Sequence, residues 1–323
     1  MRARVEAGAR LHVGFGNLSL AHERLYGGVG VALDEPRVVL EAERASAVVC
    51  EDSVVAEYAE AVCEVLDVPG ADVTVEETLP RHVGLGSGTQ LALATLAAVA
   101  GAYDRSPDVR ARAPALERGG RSGVGVAAFE AGGFIVDAGH PTERFTTSPP
   151  DPGEWEVPAV VARHDLPADW RFVLVLPDAE PGRSGATEDE SMRSVVENAD
   201  PAVADELASL LVRRLLPAAA EGRLAAFGDA VGAFGRLNGA WYADEQGGVY
   251  RPPAGRLIDA LSETPALRGV GQSSWGPAVY GVTDAESATT ARQAAETALA
   301  EAGVDGDVRV VAPRNVGACV TTD

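Results

Sequence analysis

The chain contains no lysine, so the 27 basic residues among its 323 positions are all arginine. Acidic residues number 48, and the formal net charge is −21. The electrostatic field of such a negatively charged protein repels nucleic-acid backbones and anionic membranes, because both carry negative charge themselves. We therefore expect neither nucleic acid nor a membrane as a partner. Any phosphate group that the protein binds must be held by donors in its immediate surroundings.

Cysteine is scarce as well, and Cys50, Cys63 and Cys319 show no Cys-x-x-Cys spacing. An odd, scattered set in a chain of this length is typical of reduced thiols, which predicts a cytoplasmic protein. No apolar run approaches the roughly 20 residues that span a bilayer, and the first ten residues lack the apolar core of a signal peptide. With 46% hydrophobic residues, the chain suits one large domain or two closely joined ones.

A glycine-rich segment carries the strongest functional signal: Pro80-Arg-His-Val-Gly-Leu-Gly-Ser-Gly-Thr-Gln90, followed by an apolar run at 91–100. The pattern predicts a loop that leads into a helix N-terminus, where backbone N–H groups and the helix dipole favour an anion. The segment lacks the Gly-Lys-Ser/Thr ending of a Walker loop and the Rossmann glycine spacing. A simple turn with a helix cap is the alternative. We expect a phosphate to bind at Gly84, Gly86, Ser87, Gly88 and Thr89.

Strand-like and helix-like patterns alternate along the rest of the chain. Strands are predicted at 5–15, 29–42, 72–79, 171–177 and 308–312, and helices at 54–66, within 190–235 and at 284–302. Two further strands, 124–129 and 134–138, are predicted to form a hairpin around Gly132-Gly133. The proline-rich stretch 146–158 is predicted to be a linker. The pattern indicates an α+β fold in two layers, with domains at 1–150 and 151–323.

Three segments resemble, in order, the motifs of the GHMP kinase superfamily, named for galactokinase, homoserine kinase, mevalonate kinase and phosphomevalonate kinase. They are Ala9-Arg-Leu-His-Val-Gly-Phe-Gly-Asn-Leu-Ser19, the segment 80–90, and Gly269-Val-Gly-Gln-Ser-Ser-Trp-Gly-Pro-Ala-Val-Tyr-Gly281. The segments 24–36, 82–92, 121–140 and 271–277 also resemble one archaeal branch, the β-ribofuranosylaminobenzene 5′-phosphate synthases. The resemblance implies a two-lobed GHMP kinase-like fold, with a ribosomal-S5-like N-terminal lobe, a ferredoxin-like C-terminal lobe and the active site between them.

That branch implies a decarboxylating ribosyl transfer, an early step toward methanopterin-type carriers. Phosphoribosyl pyrophosphate condenses with 4-aminobenzoate or 4-hydroxybenzoate, a carbon–carbon bond forms at ribose C1, and carbon dioxide and pyrophosphate leave. Mg²⁺ or another divalent cation is implied as cofactor, because it bridges phosphate oxygens; its protein ligands are left unassigned. A homodimer is one option for the oligomeric state. The acidic, lysine-free composition resembles that of proteins from salt-loving archaea.

An ATP-dependent small-molecule kinase is the main alternative. Many kinases of the superfamily carry Ser-Gly-x-Asp, whose Asp assists the phosphoryl acceptor, whereas Ser122-Gly123-Val124 is followed here by Gly125. The missing acid disfavours a kinase without excluding one, since some kinases of the superfamily lack it. A binding protein that kept the fold and lost catalysis is the third alternative.

The candidate catalytic residues each have a structural alternative. Arginine binds carboxylates and phosphates through a planar fork, which favours Arg24 and Arg121 as anion clamps; surface ion pairs are the alternative. Asp34 or Glu130 is expected to stabilise the metal or the ribosyl cation, unless each is merely ion-paired. His12 and His82 flank the first two motifs. Either is a candidate for phosphate orientation or proton transfer, and the alternative is a satisfied structural donor.

The remaining candidates are expected to bind substrate. Asn17 and Ser19 end the first motif and are expected to hydrogen-bond substrate hydroxyls, unless they form a turn. Trp275 is expected to stack on an aryl ring or to pack in the core. A polar and aromatic cluster further along the chain is expected to close the acceptor pocket or to form an interface: Asn238, Trp241, Tyr242 and Gln246. The other expected substrate-binding residues are Ser122, Gln272, Ser273 and Ser274.

Overall fold

Two antiparallel sheets organise the protein in the computed structural model, which describes residues 1–146, 150–151, 153–180, 182 and 186–323. The first sheet has seven strands and the second has four. The strands are β1 Arg2–Asn17, β2 Arg24–Arg44, β3 Ala71–Glu77, β4 Phe134–Asp137, β5 His140–Pro141, β6 Val160–His164, β7 Trp170–Pro177, β8 Arg268–Gln272, β9 Val279–Asp284, β10 Gly306–Val311 and β11 Cys319–Thr322.

Helices cover both sheets, and none of those described has the length and apolar character that crossing a bilayer requires. They are α1 Ser53–Leu66, α2 Ser87–Ala102, α3 Val109–Arg112, α4 Val124–Ala131, α5 Ala186–Asn198, α6 Pro201–Leu210, α7 Leu216–Ala220, α8 Leu224–Trp241, α9 Ala243–Gln246, α10 Ala254–Ser262 and α11 Ala288–Ala302.

Helix α2 is the centre of the first lobe. Every residue from Gln90 to Ala100 is buried, because the helix is apolar on all sides and has protein around it. It packs on β1 and β2, with α1 and α4 beside it. The strong apolar character after the glycine-rich segment therefore reflects a central helix, whose N-terminus at Ser87 is fixed by its surroundings.

The second sheet has the strand order β10-β7-β9-β8. Numbered along the chain, these strands lie in the order fourth, first, third, second, with helices between the first and second and between the third and fourth. This is the arrangement of a ferredoxin-like sheet, so the prediction for the C-terminal lobe is confirmed. Helices α10 and α11 bury apolar faces on it through Leu257, Ile258, Leu261, Ala291 and Ala295.

The structure differs from the sequence predictions at two places. The segment 124–131 forms helix α4, so the predicted hairpin with 134–138 is wrong. Its run of small apolar residues is buried on several sides and shows no period that distinguishes helix from strand. Strands β6 and β11 join the first sheet although both follow residue 150, so the sheets do not divide at the predicted domain boundary. Residues 147–149 and 152 of the predicted linker lie outside the described residues.

An aromatic cluster joins the two sheets. Phe227 of α8 meets Phe134 of β4 edge-on, with ring centroids 5.4 Å apart, and Trp170 of β7 at 5.0 Å. All three side chains are almost completely buried. Since β4 and β7 belong to different sheets, the lobes share one continuous core around Phe227.

We expect Phe227→Ala to lower the free energy of unfolding by about 3–5 kcal/mol, because it leaves a cavity between the sheets. Denaturant unfolding followed by circular dichroism measures the change. The control is Val212→Ala, whose side chain is 62% exposed, and it is expected to change stability by less than about 0.5 kcal/mol. An equally small effect of Phe227→Ala would show that the cluster contributes little to the stability of the fold.

Candidate active site

A cavity of about 470 Å³ lies between the two lobes, a size typical of small-molecule sites. Both lobes contribute to its wall. The first provides Arg10, His12, Phe15, Thr89, Arg118, Arg121 and Ser122, among others, and the second provides Asn238, Tyr242, Gln246, Tyr250, Gln272, Ser274 and Trp275.

The three glycine-containing motifs meet at the carbonyl oxygen of Gly84. This oxygen accepts hydrogen bonds from Arg10 Nη1 at 2.8 Å and from Ser273 Oγ at 2.7 Å. Ser273 Oγ in turn accepts from the backbone N–H of His12 at 3.1 Å, and the N–H of Ser274 donates to the His12 carbonyl at 3.0 Å. The segments are therefore fixed against one another by hydrogen bonds between residues far apart in sequence.

The N-terminus of α2 faces this meeting point without a side-chain cap. Its N-cap is Gly86, whose φ of 78° is in the left-handed region that glycine adopts readily. The first-turn N–H groups of a helix lack intrahelical partners and favour an anion. Among the predicted phosphate-binding residues Thr89 lines the cavity, whereas Gly84, Gly86, Ser87 and Gly88 do not.

Two arginine side chains form the part of the cavity wall next to the N-terminus of α2. The Cγ of Arg10 lies 2.9 Å from the position that a Cβ on Gly86 would occupy, so its side chain covers the loop. Nη1 of Arg118 lies 3.5 Å from the corresponding position on Gly88, and its Nη2 donates to the Tyr58 hydroxyl at 2.8 Å. Within the described part of the chain, neither guanidinium forms a salt bridge. Positive charge is therefore concentrated where the helix dipole also favours an anion.

Burial lowers the pKa of Arg10 to about 10, so the side chain stays protonated at neutral pH. Neither Arg10 nor Arg118 is among the site residues that the sequence predicts. Arg10 lies inside the first motif, and its place there is the signal that was available. Arg118 precedes Gly119-Gly120 in a segment with no recognisable pattern, so only the folded chain reveals it.

Arg121 and Ser122 also line the cavity, and both have partners in the protein. Arg121 forms ion pairs with Glu188, at 2.8 Å, and with Asp189. Ser122 Oγ donates to the buried carboxylate of Asp137 at 3.1 Å. The charge of Arg121 is therefore balanced by direct ion pairs with α5, whereas Glu188 acts on Arg10 without forming a salt bridge to it.

Another part of the wall is aromatic. Trp275 and Tyr242 meet edge-on with ring centroids 4.8 Å apart, and Phe15 and Trp155 also line the cavity. Gln272 fixes the surrounding loops, because its Oε1 accepts from the N–H of Arg251 at 2.8 Å. The cavity thus combines a cationic region and an aromatic region, which suits a ligand with a phosphate group beside a ring.

His12 lies in the wall on the same face of β1 as Arg10, since alternate residues of a strand share a face. Its ring is edge-on to Phe15, with centroids 4.7 Å apart. Nε2 is buried and has no hydrogen-bond partner among the described residues. Burial, together with the charge of Arg10, lowers the pKa of His12 to about 3, so its ring is neutral at physiological pH.

Both lobes match known protein families. The family descriptions "GHMP kinases N terminal domain" and "GHMP kinases C terminal" match residues 53–133 and 215–301. The beta-ribofuranosylphenol 5′-phosphate synthase of Methanothermobacter thermautotrophicus is 34% identical over 96% of each chain, and that of Archaeoglobus fulgidus is 31% identical over 97% of this chain and 98% of its own. The chain belongs to this synthase family within the GHMP kinase superfamily.

Solved structures show the same fold. A homoserine kinase from Cytophaga hutchinsonii has a TM-score of 0.69 at 16% identity, over 99% of this chain and 97% of its own. Mevalonate diphosphate decarboxylase from Staphylococcus aureus has a TM-score of 0.63 at 12% identity, over 99% and 98%. At these identities the similarity concerns the fold alone, and it confirms the predicted GHMP kinase-like architecture.

The family position at which many kinases carry an acid is occupied here by Gly125 in the buried helix α4. A Cβ on this residue would lie 3.1 Å from Cγ2 of Thr89, closer than most van der Waals contacts. A larger side chain would therefore displace the cavity wall. The close packing against Thr89 is therefore consistent with glycine, and not with an acid, at this position.

Four sequence candidates lie outside the cavity wall. The guanidinium of Arg24 donates to the carbonyl oxygens of Ala138, at 2.6 Å, and Gly139, at 2.7 Å. Glu130 accepts from Arg110, with 2.6 Å between Oε2 and Nη2. The two remaining candidates are Asp34, whose carboxylate accepts from the N–H of Ala312 at 2.9 Å, and His82, whose side chain is exposed.

Asn17 and Ser19 form a turn, also outside the cavity wall. Asn17 Nδ2 donates to the carbonyls of Ser19 and Arg24, both at 2.7 Å, and its Oδ1 accepts from the Ser19 N–H at 2.8 Å. This geometry corresponds to the turn that was the alternative for these residues. Ser273 is fully buried behind the wall, where it connects the motifs.

Proposed function

We propose that the protein transfers a ribosyl 5′-phosphate group from phosphoribosyl pyrophosphate to 4-hydroxybenzoate or 4-aminobenzoate, with release of carbon dioxide and pyrophosphate. One observation carries the proposal: a single cavity has a cationic region, formed by Arg10 and Arg118, which make no salt bridge to a described residue, and an aromatic region around Trp275. The names of the relatives in Methanothermobacter and Archaeoglobus support the assignment.

In this proposal the cationic region holds the pyrophosphate. Departure of pyrophosphate places positive charge on the ribose and negative charge on the leaving oxygens. Fixed donors that meet this developing charge lower the barrier, because they need no reorganisation during the reaction. Arg10 is held in place through Gly84, and Arg118 through Tyr58, so both guanidinium groups are positioned before the substrate binds.

The aromatic region holds the acceptor ring. Offset and edge-on contacts with Trp275, Tyr242 and Phe15 orient the ring, and its reacting carbon is thereby presented to the ribose. Arg121 is already paired with Glu188 and Asp189, so an acceptor carboxylate near this group meets a balanced charge. A weakly held carboxylate is easier to lose as carbon dioxide than one clamped by a free guanidinium.

Mg²⁺ fits the donor chemistry of the cavity. Glu117, Glu188 and Asp189 contribute to its wall, and the described residues contain no cluster of three or more metal-ligating side chains. Mg²⁺ commonly uses one or two carboxylates together with water and substrate phosphates. Bound in this way, the ion would neutralise charge on the leaving pyrophosphate, while Arg10 and Arg118 hold its other oxygens.

The proposed function is tested by measuring the release of carbon dioxide and pyrophosphate. Purified protein is incubated with Mg²⁺, phosphoribosyl pyrophosphate and carboxyl-labelled 4-hydroxybenzoate or 4-aminobenzoate, and labelled carbon dioxide and pyrophosphate are measured. We expect both products in equal amounts, and neither when one substrate is omitted. ATP-dependent phosphorylation of an alcohol, with no carbon dioxide release, would instead identify a kinase. That alternative has less support, because Gly125 occupies the position of the kinase acid.

We also propose a cytoplasmic location. Cys50, Cys63 and Cys319 are free in the structure, and free thiols persist in a reducing compartment. Phosphoribosyl pyrophosphate, the proposed donor, carries charge that would not cross a membrane unaided.

We further propose adaptation to high salt. Repulsion among the surplus carboxylates reaches roughly 30 Å at about 0.01 M salt and only about 3 Å at about 1 M. The thermal midpoint is therefore expected to rise by at least about 5 °C between these concentrations of KCl, measured by circular dichroism. Sucrose at matched osmolality is the control, because it strengthens burial without screening charge. A midpoint that responds equally to sucrose and KCl would contradict charge repulsion as the cause.

A further inference from the structure

The imidazole of His12 is a buried group with unused hydrogen-bonding capacity in the cavity wall. The residue is only 5% exposed, and no described residue bonds its Nε2. A buried polar atom without a partner costs about 1–3 kcal/mol, so its retention in the wall of a cavity points to a ligand that supplies the missing hydrogen bond.

The backbone of His12 is fixed by hydrogen bonds, and its imidazole lies next to Arg10 and Phe15. The N–H of His12 donates to Ser273, and its carbonyl accepts from Ser274, so the third motif fixes both sides of the peptide. Arg10 precedes it on the same face of β1, and Phe15 packs edge-on against its ring. A ring bound against Phe15 in the cavity would therefore lie beside the imidazole of His12.

Building on the proposed function, we propose that Nε2 of His12 accepts the proton of the para hydroxyl of the acceptor, which makes His12 the residue that selects a phenolic acceptor and activates its ring. A neutral imidazole is suited to this role, because it has a lone pair to receive the proton. Burial is the main cause of the low pKa of His12, and the charge of Arg10 adds to it. Pyrophosphate bound to Arg10 would offset this second contribution.

The step balances without a further reactant. The ring carbon that bears the carboxylate forms a bond to ribose C1, the C1–O bond breaks, and its electron pair leaves with pyrophosphate. The hydroxyl proton moves to Nε2 as the ring oxygen becomes a carbonyl. The bond to the carboxylate then breaks and releases carbon dioxide, and its electron pair restores the aromatic ring. The oxygen finally takes the proton back from His12.

Binding tests the hydrogen bond independently of turnover. Titration calorimetry compares 4-hydroxybenzoate with 4-methoxybenzoate, which cannot donate a proton, in the presence of inorganic pyrophosphate. The wild-type protein is expected to prefer the hydroxyl compound by at least about tenfold, and His12→Phe to bind both equally. The control is His22→Phe, a partly exposed histidine outside the cavity wall, which should keep the preference. A preference that survives His12→Phe would overturn the proposal.

Turnover provides the second measurement. A phenol ring becomes much more nucleophilic when the hydroxyl loses its proton, whereas the nitrogen of 4-aminobenzoate donates its lone pair strongly to the ring without proton loss. We expect His12→Phe to reduce kcat about 100- to 10,000-fold with 4-hydroxybenzoate and less than about tenfold with 4-aminobenzoate. His12→Gln keeps an acceptor oxygen but no base, so it should preserve KM and lose kcat.

The outcomes separate the two proposals. Absence of carbon dioxide release by the wild-type protein with either acid would refute the proposed function. Release by the wild-type protein, with equal losses for both acids in a His12→Phe variant of unchanged thermal midpoint, would leave that function standing and overturn the role of His12.

Discussion

Replacing Gly84 by alanine is expected to abolish measurable turnover, with a loss of at least about 100-fold. A Cβ at this position would overlap the carbonyl oxygen of Ser273, and the φ of 95° is strained for any side chain. The clash is with backbone, which cannot rotate away as a flexible side chain would. It would separate the three motifs that meet at the Gly84 carbonyl, and displacements near 1 Å cost about 100-fold in rate.

Gly303→Ala is the matched control for that substitution. Gly303 ends α11 with a φ of 64°, and no atom of the described residues lies within 4 Å of a Cβ built there. Both substitutions therefore place alanine in the left-handed region, at a cost of about 1–2 kcal/mol, but only Gly84→Ala adds the overlap. Rates are compared at a temperature where circular dichroism shows both variants folded. Equal activity of the two variants would show that the junction of the motifs does not position the site.

Arg10→Met is expected to weaken pyrophosphate binding by about 2–4 kcal/mol, or roughly 30- to 1,000-fold. Methionine keeps much of the aliphatic volume over Gly86 and removes the charge. The affinity of Arg10→Lys for pyrophosphate should lie between those of the wild-type protein and Arg10→Met. An ammonium restores the charge, but it cannot both bind the Gly84 carbonyl and present a planar fork to phosphate. Titration calorimetry with inorganic pyrophosphate and Mg²⁺ measures the affinity of each variant.

The control for Arg10 is Arg292→Met on α11. Arg292 forms an exposed pair with Glu296 at 2.8 Å, so its loss removes the same charge far from the cavity wall. This variant should bind pyrophosphate as the wild-type protein does. If Arg10→Met is folded and also retains full affinity, the phosphate site lies elsewhere in the molecule.

Local sequence patterns were sufficient to predict the glycine-rich loop and the helix that follows it. The glycines at 84 and 86 have positive φ, as a tight entry to a helix requires, and the apolar run after them forms the buried helix α2. Helix α4 was misassigned because its burial on several sides removes the periodicity that identifies a helix. A short apolar run of this kind is decided by tertiary packing, which no local pattern reports.

The arginines show the same limit for the candidate site. Arg24 and Arg10 carry identical groups, yet one donates to the carbonyls of Ala138 and Gly139 while the other lies in the cavity wall. What distinguishes them is the set of neighbours that folding brings close. Three-dimensional contacts also show that Arg121 is neutralised by α5, which no spacing in the sequence indicates.

The connectivity of the first sheet has a consequence for dividing the protein. Strand β11, from the far end of the chain, pairs with β1, and β6 pairs with β4 across the predicted domain boundary. A fragment ending at residue 150 would therefore lack both strands and leave the edges of β1 and β4 open to other chains. When the two halves are co-expressed, the C-terminal half would have to supply both strands to the sheet of the N-terminal half. Fragment complementation should therefore restore the fold, whereas separate expression should yield aggregates.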